Sequence, residues 1–147
     1  DVQSGRYTGK RIIDVFKNDR KVEEVFYLRP TGEYTDRSGK RYSYDIQERN
    51  DDITKCLLAS AYYVDKIEKG YAEEHARDMI PYAIRQHFVV SFNLRSALHF
   101  MDLRSKKDAQ EEIRVMCDLM WLHLQAWAPE VTAWYEKTRL HKARLSP

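Results

Sequence analysis

FNLRSALHFMDLR, Phe92 to Arg104, is the stretch on which the architecture turns. Leu94, Ala97, Leu98 and Met101 recur at intervals of three and four, which sets them on one stripe of an α-helix. Asn93 stands just before that stripe. Its short amide side chain suits an N-cap, where it accepts from backbone N–H groups that the first turn leaves without partners. Arg95 and His99, four residues apart, share a helix face. On spacing alone that face has two readings, a solvated polar surface or a ligand-binding one.

Upstream, YAIRQHFVVSFN reads as a strand through Ile84, Phe88, Val90 and Phe92, and EEHARDM as a short helix ended by Pro81. A longer amphipathic helix starts at Asp51 or Asp52 as N-cap, carries Ile53, Leu57, Ser60/Ala61, Val64 and Ile67, and stops at Gly70. Before it, GEYTDRSGKRYSY places Asp36 to Gly39 between tyrosine-bearing runs, a hairpin pattern. The first thirty residues hold short apolar pieces split by KNDRK and closed by Pro30. Downstream, Asp108 and Glu111 form a capping-box pattern ahead of Ile113, Met116/Cys117, Met120, Leu124 and Trp127. Ala128-Pro129 breaks that helix, and Val131, Trp134, Tyr135 and Thr138 mark one more. The sum is an α+β chain with helices packed on an antiparallel sheet, expected as a single domain over residues 1–147.

Composition narrows the field. At 147 residues the chain has about one domain's length, and 43% apolar with 33% charged residues is globular rather than disordered. The net charge of +2 and a pI near 8.5 do not call for a nucleic-acid partner. No run approaches the roughly 18 apolar residues of a membrane span, and no signal-peptide pattern follows Asp1, so a cytoplasmic protein is expected. Cys56 and Cys117 are too few for a disulfide framework or a zinc site and lie among apolar neighbours, so both read as reduced core thiols, and no metal site is predicted.

The chemistry-bearing residues are arginines in unusual settings. Arg6 follows Ser4 and Gly5, Arg77 precedes Met79-Ile80-Pro81, and Arg95 and Arg104 sit on the Asn93 helix. A guanidinium offers several N–H donors in one plane and never loses its charge, which suits phosphates and carbonyl edges. Ser4-Gly5-Arg6 adds a hydroxyl and approachable backbone amides, the parts of a phosphate nest, although the same tripeptide also serves as a plain loop. No Walker loop, H-E-x-x-H, Ser-His-Asp arrangement or dinucleotide fingerprint occurs.

Q-S-G-R-Y (Gln3 to Tyr7), A-R-D-M-I-P (Ala76 to Pro81), F-N-L-R-S-A-L-H-F (Phe92 to Phe100), Leu103-Arg104 and D-A-Q-x-E-I-R (Asp108 to Arg114) together resemble the flavin-dependent thymidylate synthases in order and spacing. That family's signature runs R-H-R-x-x-S-x-N-x-x-S-x-R-Y, with Ser4, Arg6 and Tyr7 at its last places. The hairpin segment resembles the family too. The resemblance implies that family's fold and the reductive methylation of dUMP to dTMP, with methylenetetrahydrofolate as carbon donor, FAD as hydride carrier and NADPH as reductant. By the same resemblance, Gln3, Ser4, Gly5, Arg6 and Arg77 bind dUMP. Arg104 binds it too, as the catalytic residue: set against the uracil carbonyl edge, it favours loss of the N3 proton. Asn93, Leu94, Arg95 and His99 correspond to the flavin-binding turn and helix face. The resemblance also implies a homotetramer with active sites shared between subunits.

Asp1 stands where the signature has Asn, Val2 where an acid is common, and the R-H-R triplet is not in the sequence. The expectation is therefore the C-terminal portion of a synthase, incomplete at its N-terminus. Two other classes compete, a non-catalytic assembly or regulatory remnant of the synthase and a helical nucleic-acid-binding module using Arg6, Arg95, Arg104 and the basic tail.

Overall fold

The computed structural model describes residues 9–36, 38–106 and 109–141. In chain order the elements are α1 (Lys10–Phe16), α2 (Val22–Val25), β1 (Gly32–Thr35), β2 (Arg41–Tyr44), α3 (Ile46–Glu68), α4 (Glu73–Ala76) with a 3-10 turn Arg77–Met79, α5 (Leu94–Arg104), α6 (Glu111–Trp127) and α7 (Pro129–Thr138). The chain is an α+β fold, as the sequence predicts. Its sheet, among the described residues, is the hairpin β1–β2. Asp36 closes that hairpin by accepting from the backbone N–H groups of Ser38 (2.8 Å) and Lys40 (2.9 Å), and Gly39 supplies the left-handed φ of 81° that the turn requires. The described residues fall in two compact units, one within Asp1–Tyr34 and Ser43–Val90, the other within Thr35–Tyr42 and Ser91–Pro147.

In the first unit α1, α2 and α4 gather on α3. Ile12, Val15, Val25, Phe26, Cys56, Tyr63 and Ala76 form its core. The helix predicted from Asp51 begins earlier, at Ile46, because Asp45 caps it by accepting from the Glu48 N–H at 2.9 Å. Gly70 ends it with φ 80°, as expected. Its buried stripe is Cys56, Ser60, Tyr63 and Val64, which keeps the predicted Ser60 and Val64 but is turned toward Cys56 and Tyr63, so that Leu57 is exposed. The turn follows from Tyr63, whose ring packs under Gly9: a Cβ at position 9 would overlap the Tyr63 hydroxyl. Ser60 lies in the stripe because its Oγ donates to the Cys56 carbonyl at 2.9 Å.

Among the described residues the strand expected through Ile84, Phe88, Val90 and Phe92 is reduced to single bridge positions at Ile84 and Phe88. Ile84 makes an isolated antiparallel bridge to Phe26, with Tyr27 N–H to the Ala83 carbonyl and Arg85 N–H to the Val25 carbonyl, both 2.7 Å. Phe88, Val89 and Val90 beyond it are exposed.

In the second unit Ala97, Met101, Cys117, Trp121, Leu124 and Tyr135 form the core between α5, α6 and α7. Asn93 caps α5 as predicted, its Oδ1 accepting from the Ser96 N–H at 2.8 Å, and Leu94, Ala97, Leu98 and Met101 face the core. The capping box predicted for α6 is not made. Its N-cap is Gln110, with no side-chain cap, and Glu111 is the first helical residue, so Glu111 and Glu112 act on the helix dipole instead; Asp108 lies outside the described residues. Trp121, not Trp127, is the buried tryptophan, its ring 5.6 Å from that of Tyr135. Pro129 opens α7 at the predicted break, where its missing N–H is harmless.

Candidate functional site

The N-cap at Asn93 sets the phase of α5. With Ala97 and Met101 turned inward, Leu94, Leu98 and Asp102 flank the core and Arg95 and His99 project outward. These α5 residues form one wall of a cleft of about 650 Å³, and Trp134, Tyr135 and Arg139 of α7 and its C-terminal end form the other. That volume lies within the usual range for a small-molecule site. Three of the predicted flavin residues, Leu94, Arg95 and His99, are thus brought together. Asn93 stands at the mouth of the helix with its side-chain carbonyl committed to the cap.

Beneath the cleft is an ionic network that spacing does not reveal. Asp102 is 6% exposed, and both of its carboxylate oxygens are engaged: Oδ1 accepts from the Tyr135 hydroxyl at 2.5 Å, and Oδ2 from Arg139 Nη2 at 2.8 Å. Burial first, and then the bond to Asp102, pushes the Tyr135 phenol well above its ordinary value. The phenol therefore stays a donor at any physiological pH. His141 Nδ1 lies 2.8 Å from the Ser105 carbonyl and ties the chain after α7 to the end of α5. Asp102, Trp134, Tyr135 and Arg139 escape a sequence reading. The one available signal is the acid beside Met101, on the stripe where an apolar residue would be expected.

Arg104 closes α5 on another side. Nine residues from Arg95, it lies about 180° around the helix, is exposed and takes no part in the cleft. Its charge reaches the Cys117 thiol, where burial and Asp118 raise the pKa and Arg104 opposes them. Both cysteines are buried with raised thiol pKa values, Cys56 to about 11 chiefly through burial, so neither is a nucleophile.

Arg77 occupies the first unit. The preceding Ala76 is fully buried and anchors the 3-10 turn, and Arg77 emerges on a second cleft of about 590 Å³ lined by Ile12, Asp78, Ile80, Pro81 and Tyr82. Arg77 also acts on buried Tyr63, whose phenol is raised by burial and by Glu73 and lowered by the guanidinium. Gln3, Ser4, Gly5 and Arg6 lie outside the described residues.

The sequence is 30% identical over 155 aligned residues to a flavin-dependent thymidylate synthase of Haloarcula marismortui, an alignment that takes in 100% of this chain and 62% of that protein. It is 33% identical over 94 residues to a flavin-dependent thymidylate synthase of Wolbachia pipientis, covering 63% of this chain and 33% of that one. A third, from Thermococcus kodakarensis, is 41% identical over 58 residues, 40% of this chain and 22% of its own. The chain thus spans less than two thirds of the length of each. A family model, thymidylate synthase complementing protein, matches residues 1–130, and to that family the chain belongs.

Proposed function

We propose that the chain supplies part of the active site of a flavin-dependent thymidylate synthase that converts dUMP to dTMP with methylenetetrahydrofolate and NADPH. The observation that carries this is the cleft of α5 and α7. It joins Leu94, Arg95 and His99, the positions that resemble the family's flavin-binding face, to an exposed indole at Trp134. Two arginines, an imidazole and apolar walls fit a planar ring system that carries phosphates. FAD, when bound, carries the hydride between reductant and substrate. The residues hold and orient. Arg95 and His99 bind the flavin with Asn93 and Leu94 at the helix start, while Gln3, Ser4, Gly5, Arg6 and Arg77 hold the nucleotide, the loop at its phosphate. Arg104 lies against the uracil carbonyl edge and stabilises the ring after the N3 proton leaves.

In this reading the 147 residues act as one domain, the C-terminal portion of a cytoplasmic homotetramer whose sites combine subunits. Among the described residues no helix is long and apolar enough to cross a membrane.

The test is a visible spectrum of the full-length native polypeptide after gel filtration, followed by an assay for NADPH-dependent dTMP formation. Flavin absorbance that co-elutes with the protein, with activity that disappears in Arg104→Ala, is the expected result. A colourless protein, or an Arg104→Ala variant with near-normal turnover, overturns the assignment it concerns.

A further inference from the structure

We propose that Arg139, gripped by Asp102, is a second phosphate-contacting arginine of the α5–α7 cleft, so that an anionic dinucleotide is held by guanidinium groups from both walls; this rests on the flavin reading of that cleft. Arg139 sits at the C-cap of α7, and its side chain is 42% exposed although it is paired with a carboxylate that is 6% exposed. One amino group, Nη2, meets Asp102 Oδ2. Arg139 lines the cleft together with Arg95 and His99. A guanidinium has five N–H donors in fixed geometry, so one bond to a carboxylate leaves donors for a second anion.

Two features argue that this arginine does more than neutralise Asp102. The carboxylate is already bonded on its other oxygen by Tyr135, whose hydroxyl anchors it to the core. The pair therefore fixes the guanidinium in place before any ligand arrives, and a donor held in advance loses little freedom on binding. Asp102 also lines the cleft, and an anion entering there would meet a buried negative charge were Arg139 not bonded to it. Asp102 is thus a positioning residue and Arg139 the contact. Trp134, more than half exposed beside them, gives the same ligand a flat apolar surface.

The experiment titrates FAD and riboflavin against the full-length native polypeptide by flavin fluorescence. The two ligands share the ring system and differ in the diphosphate and adenosine. Arg139→Gln is expected to weaken FAD by about tenfold or more, the size of a lost charge-assisted bond, and to leave riboflavin unchanged. Arg139→Lys should recover part of the loss, and Asp102→Asn should weaken FAD by a smaller factor. Melting curves run alongside, and a variant that merely unfolds the cleft would weaken both ligands together. An unchanged ratio of FAD to riboflavin affinity in Arg139→Gln overturns the role of Arg139 and leaves the flavin reading standing. A wild-type protein that takes up no FAD overturns the flavin reading, and this assignment with it.

Discussion

Around Phe26, the helices α1 to α4 close over Ile12, Val15, Val25, Cys56, Tyr63 and Ala76, the buried Ser60 hydroxyl bonds back to its own helix, and charged side chains stay at the margin. There Arg49 donates to the Leu28 and Arg29 carbonyls and pairs with Glu23 at 3.3 Å, partly exposed. Around Tyr135, the helices α5 to α7 close over Ala97, Met101, Cys117, Trp121 and Leu124, and the same wall contains Asp102, paired with Arg139. The first core is held by apolar area and close packing. The second accepts the cost of burying a charge, offset by two short bonds, and that charge lies under a cleft. A buried ion pair is a weak source of stability compared with an apolar replacement, yet it is costly to break. Asp102 and Arg139 both line the cleft of α5 and α7, so breaking the pair changes that wall as well as the core beneath it.

Substitutions test that contrast, beginning with the largest effect. Phe26→Ala empties the centre of the first core, where the ring is fully buried, and should destabilise by about 4 kcal/mol. The measurement is hydrogen exchange, with protection falling in the amides of α1 and α3. A loss under about 1 kcal/mol would show that the site collapses around the smaller side chain and that packing is not what closes this unit. Asp102→Ala comes next, at about 3 kcal/mol, since it strands a buried hydroxyl and the exposed arginine that faced it. Asp102→Asn, whose side-chain carbonyl can still accept from the Tyr135 hydroxyl, should recover part of that loss while FAD binding stays weaker than in the native protein. Recovery of both would mean that the carboxylate has no part in the cleft.

The same contrast explains what was legible beforehand. Asn93 and Gly70 were readable because a cap is local chemistry, decided by one residue and the turn beside it. Asp45 is just as local a cap, but it lies well ahead of the apolar stripe, and Asp51 and Asp52 stand nearer to the first stripe residue, Ile53. Residues 84 to 92 have strand composition, but a strand needs a partner, and no property of the segment itself reports one. Ser60 and Val64 of α3 and Cys117 and Leu124 of α6 are buried as their spacing predicts, while the aromatic anchors Tyr63 and Trp121 take the places expected for Leu57 and Trp127. Of the cleft, the α5 half was visible as a shared helix face. The α7 half was not, because Asp102 and Arg139 stand 37 residues apart and only the fold sets them 2.8 Å from each other.

The smallest effect gives the sharpest view of the second core. Tyr135→Phe removes one hydroxyl, keeps the ring against Trp121, and should cost about 2 kcal/mol at neutral pH, the value of a hydrogen bond to a charged acceptor. The folded-state pKa of Tyr135 lies above its ordinary 10.0. As pH rises, the unfolded chain therefore loses the phenolic proton first. The contribution is whole below about pH 10 and declines above it, by about 1.4 kcal/mol for each further unit until the folded-state value is reached. The phenylalanine variant has no proton to lose, so the stability gap between the two proteins should be constant up to pH 10 and narrow beyond it. Tyr44, raised to about 12 by burial and its bond to Asp52, and the thiol of Cys56 add alkaline sensitivity of their own. Both proteins carry those groups, and they cancel in the difference. A gap that holds steady from pH 8 to 11 in urea titrations would mean that the phenol keeps an ordinary pKa. The bond to Asp102 would then be too weak to hold the wall on which Arg139 depends.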